Sequence, residues 1–103
     1  MDLRQLRYFV TVAEELHFGR AAERLSMTQP PLSQQIRALE EELGVTLFHR
    51  TQRSVALTPV GARWLVEVRR VLAEAGALPA LAQRLARGEV GSLSLSFVST
   101  ADY

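Results

Sequence analysis

One hundred and three residues, no cysteine and a formal net charge of +1 bound a small domain, or one domain with a piece of another. The missing thiols exclude disulfides and thiolate metal sites and fit a reducing cytoplasm. The N-terminus does not read as a signal segment, and no apolar run reaches membrane-spanning length.

So small a net charge is no argument for nucleic acid, which must rest on where the charges sit. All 12 basic residues are Arg, a side chain suited to planar contacts with phosphate and guanine. The chain opens on Asp2 with Gln5 three residues on, the pattern of a capping box. From Leu3 to about Leu16, Leu3, Leu6, Phe9, Val10, Ala13 and Leu16 fall on one face, and Arg4, Arg7, Thr11, Glu14 and Glu15 on the other. This predicts a first helix.

Phe18 to Leu25 predicts a shorter second helix with Phe18, Ala21, Ala22 and Leu25 inward, and His17 is a mediocre residue for its cap. Ser26-Met27-Thr28 makes a tight turn, with Met27 plugging the core. A third helix follows, with Leu32, Ile36, Leu39 and Leu43 in one stripe and Gly44 at its end. Thr28 is the expected N-cap, and Pro30 and Pro31 fall in the first turn, where N–H groups lack intrahelical partners.

Helix, short turn and helix with Ala at the close contact is the helix-turn-helix arrangement. The face of the third helix opposite its stripe carries Gln29, Pro30, Ser33, Gln34 and Arg37. Gln and Arg can bond base edges in a major groove, so this reads as a recognition helix. A surface helix that happens to be Gln-rich is the alternative. Glu40, Glu41 and Glu42 would repel phosphate, so the Gln29 end is the one to enter a groove. Arg20 and Arg24 lie on the outer face of the second helix, where such a motif crosses the phosphate backbone; solvated arginines are the alternative.

Val45 to Phe48 and Val55 to Leu57 are β-prone runs around a polar tip, a small hairpin or wing. Its tip holds two Arg and no acid, which places Arg53 at a minor groove and Arg50 at a phosphate, with a solvated turn as the alternative. Thr58-Pro59 then starts a helix running to about Arg87. Val60, Trp64, Val68, Val71, Ala75, Leu78, Ala82 and Leu85 recur at close to the coiled-coil repeat. About 29 residues would span roughly 43 Å, and a seam with no intrachain helix to cover it should bury itself against a second chain. Its dimerisation residues are expected to be Val60, Trp64, Val68, Val71, Leu72, Ala75 and Leu78. Pro79 should kink or split this helix, and Gly76 weakens the same turn. Gly88 to Gly91 reads as a linker, and Ser92 to Thr100 alternates as a strand that would open a further domain.

The chain resembles the LysR-type transcriptional regulators over nearly its whole length. The resemblance is carried by Leu3-Arg4-Gln5-Leu6-Arg7-Tyr8-Phe9, Arg20-Ala21-Ala22-Glu23-Arg24-Leu25 and Thr28-Gln29-Pro30-Pro31-Leu32-Ser33. It continues in Leu39-Glu40-Glu41-Glu42-Leu43-Gly44, Leu47-Phe48-His49-Arg50 and Leu57-Thr58-Pro59-Val60-Gly61. The double proline and Phe97-Val98 look most like the branch controlling aromatic-compound catabolism.

The resemblance implies a mainly α fold, a winged helix-turn-helix of three helices and a two-stranded wing, over residues 1–58 with the helix-turn-helix at about 18–37. It implies a linker and dimerisation helix over 59–88, paired antiparallel with a second subunit, and a hinge with the first strand of a truncated effector-binding domain over 89–103. Such proteins bind pseudo-palindromic promoter DNA as dimers or tetramers and switch transcription in response to a small metabolite. By position, Gln29, Pro30, Ser33 and Gln34, with Pro31 beside them, would meet bases, Arg53 the minor groove and Thr58 a phosphate. His17 stands where Ser or Asn is common, Gly19 where Thr is common, Thr28 where Ser is usual, and Gln34 where Arg is frequent. His17 and His49 fall in different elements without a metal-ligand spacing, and no Gly-rich phosphate loop follows a strand. Neither an enzyme nor a cofactor is therefore expected. A winged helix serving only protein contacts is opposed by the lack of large apolar anchors on the recognition face. RNA is opposed by the lack of exposed aromatics at platform spacing.

Overall fold

The computed structural model describes residues 1–89; the strand expected over 92–100 lies outside them. Asp2 caps the first helix, α1 (Leu3–Glu15), by accepting from the Gln5 N–H at 2.8 Å. Only that half of the expected box forms, because the Gln5 side chain donates to Gln35 Oε1 at 3.1 Å on another helix. α1 ends at Leu16 in the left-handed region (φ 50°). Leu3 and Leu16, expected inward, are exposed, while Thr11, expected outward, is buried with its hydroxyl donated to the Arg7 carbonyl at 2.8 Å.

α2 (Phe18–Arg24) buries Phe18, Ala21 and Ala22. Ser26 turns the chain at φ 55°, and α3 (Gln29–Leu43) follows. Leu32, Ile36 and Leu39 of α3 are wholly buried against Leu6, Phe9 and Val12 of α1 and the two alanines of α2. Met27 is half-buried against this core. α3 ends at Gly44 (φ 70°), whose N–H donates to the Glu40 carbonyl at 2.8 Å. Strands β1 (Phe48–Arg50) and β2 (Val55–Leu57) pair antiparallel, with Phe48 opposite Leu57, His49 opposite Ala56 and Arg50 opposite Val55.

Thr58 starts α4 (Pro59–Gly76) by accepting from the Gly61 N–H at 2.9 Å. Gly61 is required by a close approach, since a Cβ there would lie 2.3 Å from the Leu47 carbonyl oxygen. The long helix expected over 59–87 is two helices, α4 and α5 (Leu78–Ala86), separated at Ala77. The break falls two residues before Pro79, which sits in the first turn of α5, where its missing N–H leaves no bond unmade. Backbone contacts divide the chain after Leu72 into two units. In the first, Phe9 of α1 meets Phe48 of β1 (ring centroids 5.5 Å) and Trp64 of α4 (4.9 Å).

Candidate nucleic-acid interface

The N-terminal turns of α3 present Gln29, Pro30, Pro31, Gln34 and Arg37 exposed, with Ser33 half-buried among them. Thr28 holds the N-cap position in extended backbone but makes no side-chain capping bond. The double proline explains this. An N-cap hydroxyl accepts from the second or third helical N–H, and those positions here are Pro30 and Pro31, which have none. The expected Thr28 cap is therefore corrected, and its hydroxyl is not spent on the helix start.

Beside this face a cleft runs between the start of α2, α3 and the wing tip, lined by His17, Gly19, Gln29, Ser33, Arg37 and Arg53 among others. His17 caps α2 better than its residue type suggests, its Nδ1 accepting from the Arg20 N–H at 2.9 Å. Gly19 makes that possible, since a Cβ there would lie 2.9 Å from the imidazole Cε1. The two departures from the family pattern are thus one arrangement.

The wing tip is closed by Thr51. Its Oγ1 accepts from the Arg53 and Ser54 N–H groups at 3.2 and 3.0 Å, and its N–H donates to the Ser54 carbonyl at 2.9 Å. The side chain of Arg53 is left exposed.

Several arginines expected at DNA are engaged within the chain. Arg50 does not stand free at the tip. Its Nη2 donates to Glu40 Oε1 at 3.1 Å, and its guanidinium lies 4.7 Å from the centroid of the Phe18 ring. Burial pushes the Arg50 guanidinium below its ordinary pKa, with Glu40 opposing and Arg37 adding to the shift. Arg20 pairs with Glu15 at 3.4 Å while remaining largely exposed. Arg24 is held by Glu14 and Glu15 at 2.9 and 3.1 Å. The phosphate role that the resemblance implied for Thr58 does not fit its surroundings. Thr58 is 5% exposed, and its hydroxyl donates to the Thr46 carbonyl at 2.7 Å while accepting from Gly61.

The expected dimer seam separates into two sets. Trp64, Val68 and Leu72 face the core of their own chain, Val68 being buried and Trp64 and Leu72 half-buried. The seam was expected to lack an intrachain cover, but α4 leans one flank of a broad apolar arc on Phe9. Val60, Val71 and Leu78 are exposed and Ala75 is half-buried. Leu85, the last residue of the expected repeat, is exposed as well, and exposed Val66 was not among the expected seam residues.

Sequence reasoning missed two organising side chains, Glu40 and Thr51. Thr51 has a local signal, a hydroxyl three residues before Ser54 in a polar turn. Glu40 has none, since its partners Leu47, Phe48 and Arg50 lie beyond the end of its helix. No cluster of three or more metal-ligating side chains occurs among the described residues.

Three helices and a two-stranded hairpin in this order make a winged helix-turn-helix. The chain belongs to the LysR family of bacterial regulatory helix-turn-helix proteins, whose family model matches residues 3–62. It is 63% identical over 103 residues to the HTH-type transcriptional regulator IlvR of Caulobacter vibrioides, covering 100% of this chain and 35% of that protein. It is 59% identical over 103 residues to AlsR of Bacillus subtilis, covering 100% of this chain and 34% of AlsR. The chain thus spans about a third of the length of these curated relatives. Among solved structures, it is similar to the BenM DNA-binding domain in complex with benA site 1 DNA, with a TM-score of 0.81 and 44% identity over 85% of this chain and 99% of that one. The CbnR DNA-binding domain in its DNA complex gives 0.81 and 42%, over 84% and 99%. No helix among the described residues is long and apolar enough to cross a membrane.

Proposed function

We propose that the chain is the sequence-reading part of a transcription regulator, with α3 in the major groove and the wing at the neighbouring minor groove. The observation that carries this reading is the N-terminal face of α3. Gln29, Gln34 and Arg37 are exposed there, and the Thr28 hydroxyl is not spent on a cap. The DNA complexes of the BenM and CbnR domains support it. Gln29, Pro30, Ser33 and Gln34 meet bases, with Thr28, Pro31 and Arg37 at the edge of that contact. Arg53 enters the minor groove, where negative potential favours a guanidinium. Arg20 supplies a backbone contact from α2. Arg50 and Thr58 serve instead to hold the wing and the start of α4.

A second copy covers Val60, Val71 and Ala75 of α4 and, in α5, Leu78. A dimer would place the two α3 helices about 34 Å apart along the duplex, or a multiple of that, on a pseudo-palindromic promoter site. The organisation is a DNA-binding domain over 1–58, a linker and dimerisation segment over 59–88, and the opening of an effector domain from 89 onward. Regulation by a small metabolite belongs to that effector domain, and tetramers to the full-length protein. The working compartment is the cytoplasm, at the nucleoid. The chain binds and does not catalyse.

The test is binding of the purified chain to an intact pseudo-palindromic site, a single half-site and scrambled duplex across a salt series. Strong preference for the intact site with a steep negative salt slope is the expected result. Gln29→Ala should weaken the cognate complex by about 1–3 kcal/mol and relax base preference there. Equal loss on random duplex would remove the base-reading role.

A further inference from the structure

We propose that Glu40 is a positioning residue for the wing: from its half-buried place behind β1 it sets where Arg53 meets the minor groove, without touching DNA. This rests on the wing reading given above. The Glu40 side chain is 16% exposed and accepts three hydrogen bonds from a stretch of four residues. Oε2 takes the Leu47 N–H at 2.7 Å and the Phe48 N–H at 3.2 Å; Oε1 takes Arg50 Nη2 at 3.1 Å. One carboxylate of the recognition helix therefore grips β1 at its start and at its last residue.

The grip is closed on the other side by α2. Arg50 stacks on Phe18, the first residue of α2, and the Phe18 ring meets Phe48 at 6.2 Å between centroids. The hairpin is only three residue pairs long; Val55 and Leu57 seat β2 against the core, but the tip residues 51–54 are exposed, so their angle depends on how the last residue of β1 is held. Arg53 lies three residues beyond Arg50, at the end of a short lever. Charge-assisted bonds are the stronger and more directional kind. Binding groups must be held to a fraction of an ångström by the shell behind them. A Gln at position 40 retains one acceptor oxygen but turns an N–H₂ toward groups that only donate.

The test uses the 103-residue chain and a duplex that the wild-type chain selects from a randomised library. That duplex is made with A·T-rich or G·C-rich flanks and with a single change at the base read by Gln29. The wild-type chain should favour A·T-rich flanks by about tenfold. Arg53→Ala should abolish that preference, and Glu40→Gln should bring it to within about twofold while keeping discrimination at the Gln29 base. Arg50→Met, which leaves the Leu47 and Phe48 bonds in place, should give a partial loss of the same kind. It is the deciding variant if Glu40→Gln does not fold. If Arg53→Ala removes the flank preference and folded Glu40→Gln keeps it, the positioning role is overturned and the wing reading stands. If flank preference and base discrimination fall together, Glu40 supports the fold alone and the proposal is overturned. If Arg53→Ala changes nothing, the wing reading itself fails, and the proposal with it.

Discussion

In α3 the residues Leu32, Ile36 and Leu39 are wholly buried, whereas on α4 Val60, Val66 and Val71 stand in solvent. Both helices are amphipathic by spacing. The difference lies in what surrounds them. The α3 stripe is enclosed by α1 and α2 of the same chain. On α4 only the flank holding Trp64, Leu65, Val68 and Leu72 reaches that core. Helical spacing thus says which side chains share a face, but not whether one chain can cover it.

Substitutions can separate a stripe that holds one chain together from one proposed to meet a second. The largest effect should come from Ile36→Ala, which leaves a cavity in the closed core. A loss of about 2–5 kcal/mol in denaturant unfolding is expected. A loss below 1 kcal/mol would mean the core collapses around the site. Val71→Asp should leave the fold of the single chain almost unchanged. It should weaken self-association by about tenfold or more, about 1.4 kcal/mol, read by light scattering across a concentration series. Undiminished association would place the dimer contact elsewhere on the chain.

Smaller effects fall at the helix start nearest the cleft. Gly19→Ala should displace the His17 imidazole from its cap and cost about 0.5–2 kcal/mol. In a His17→Ser background the same change should be neutral or stabilising, by up to about 1 kcal/mol, because the ring is gone and Ala favours helix. Equal losses in both backgrounds would mean that position 19 does not act through the ring. The smallest effect concerns Glu14. The Arg24 guanidinium hydrogen-bonded to it holds its carboxyl below the ordinary pKa; partial burial opposes this and Arg69 adds to it. A depressed carboxyl contributes stability above its unfolded pKa and loses it as pH falls through the folded value. The stability gap between the wild-type chain and Glu14→Gln should therefore narrow in acid. Solvent screening keeps that gap small at this half-open site. A gap that widens in acid would contradict the pairing.

Much of the fold was legible from local signals. Asp2, Gly44 and Thr58-Pro59 mark helix ends through bonds within a few residues, and these fall where expected. The exposed polar face of α3 follows from helical period alone. What was not legible depends on partners distant in sequence. Arg50 and Arg53 look alike in a basic tip, and only packing against Glu40 and Phe18 tells them apart. Strand alternation carried a hint, since Arg50 is two residues from buried Phe48 and shares its face. Trp64 and Val68 fit a coiled-coil repeat as well as an intrachain flank, and Phe9 decides between them. The silent Thr28 cap was readable, for Pro30 and Pro31 plainly lack the N–H groups it needed.

That double proline also bears on the entropy of association. Each ring fixes φ near its helical value, so the first turn of α3 has few alternative conformations to lose. In the proposed complex, side chains mounted there would meet a groove with their backbone already ordered, and ordering on contact is a main expense of association. With two of its initial N–H groups gone, the same turn offers little backbone attraction to a passing phosphate. On that proposal, discrimination at this end of the helix would fall to side chains carried on a stiff, electrostatically quiet mount.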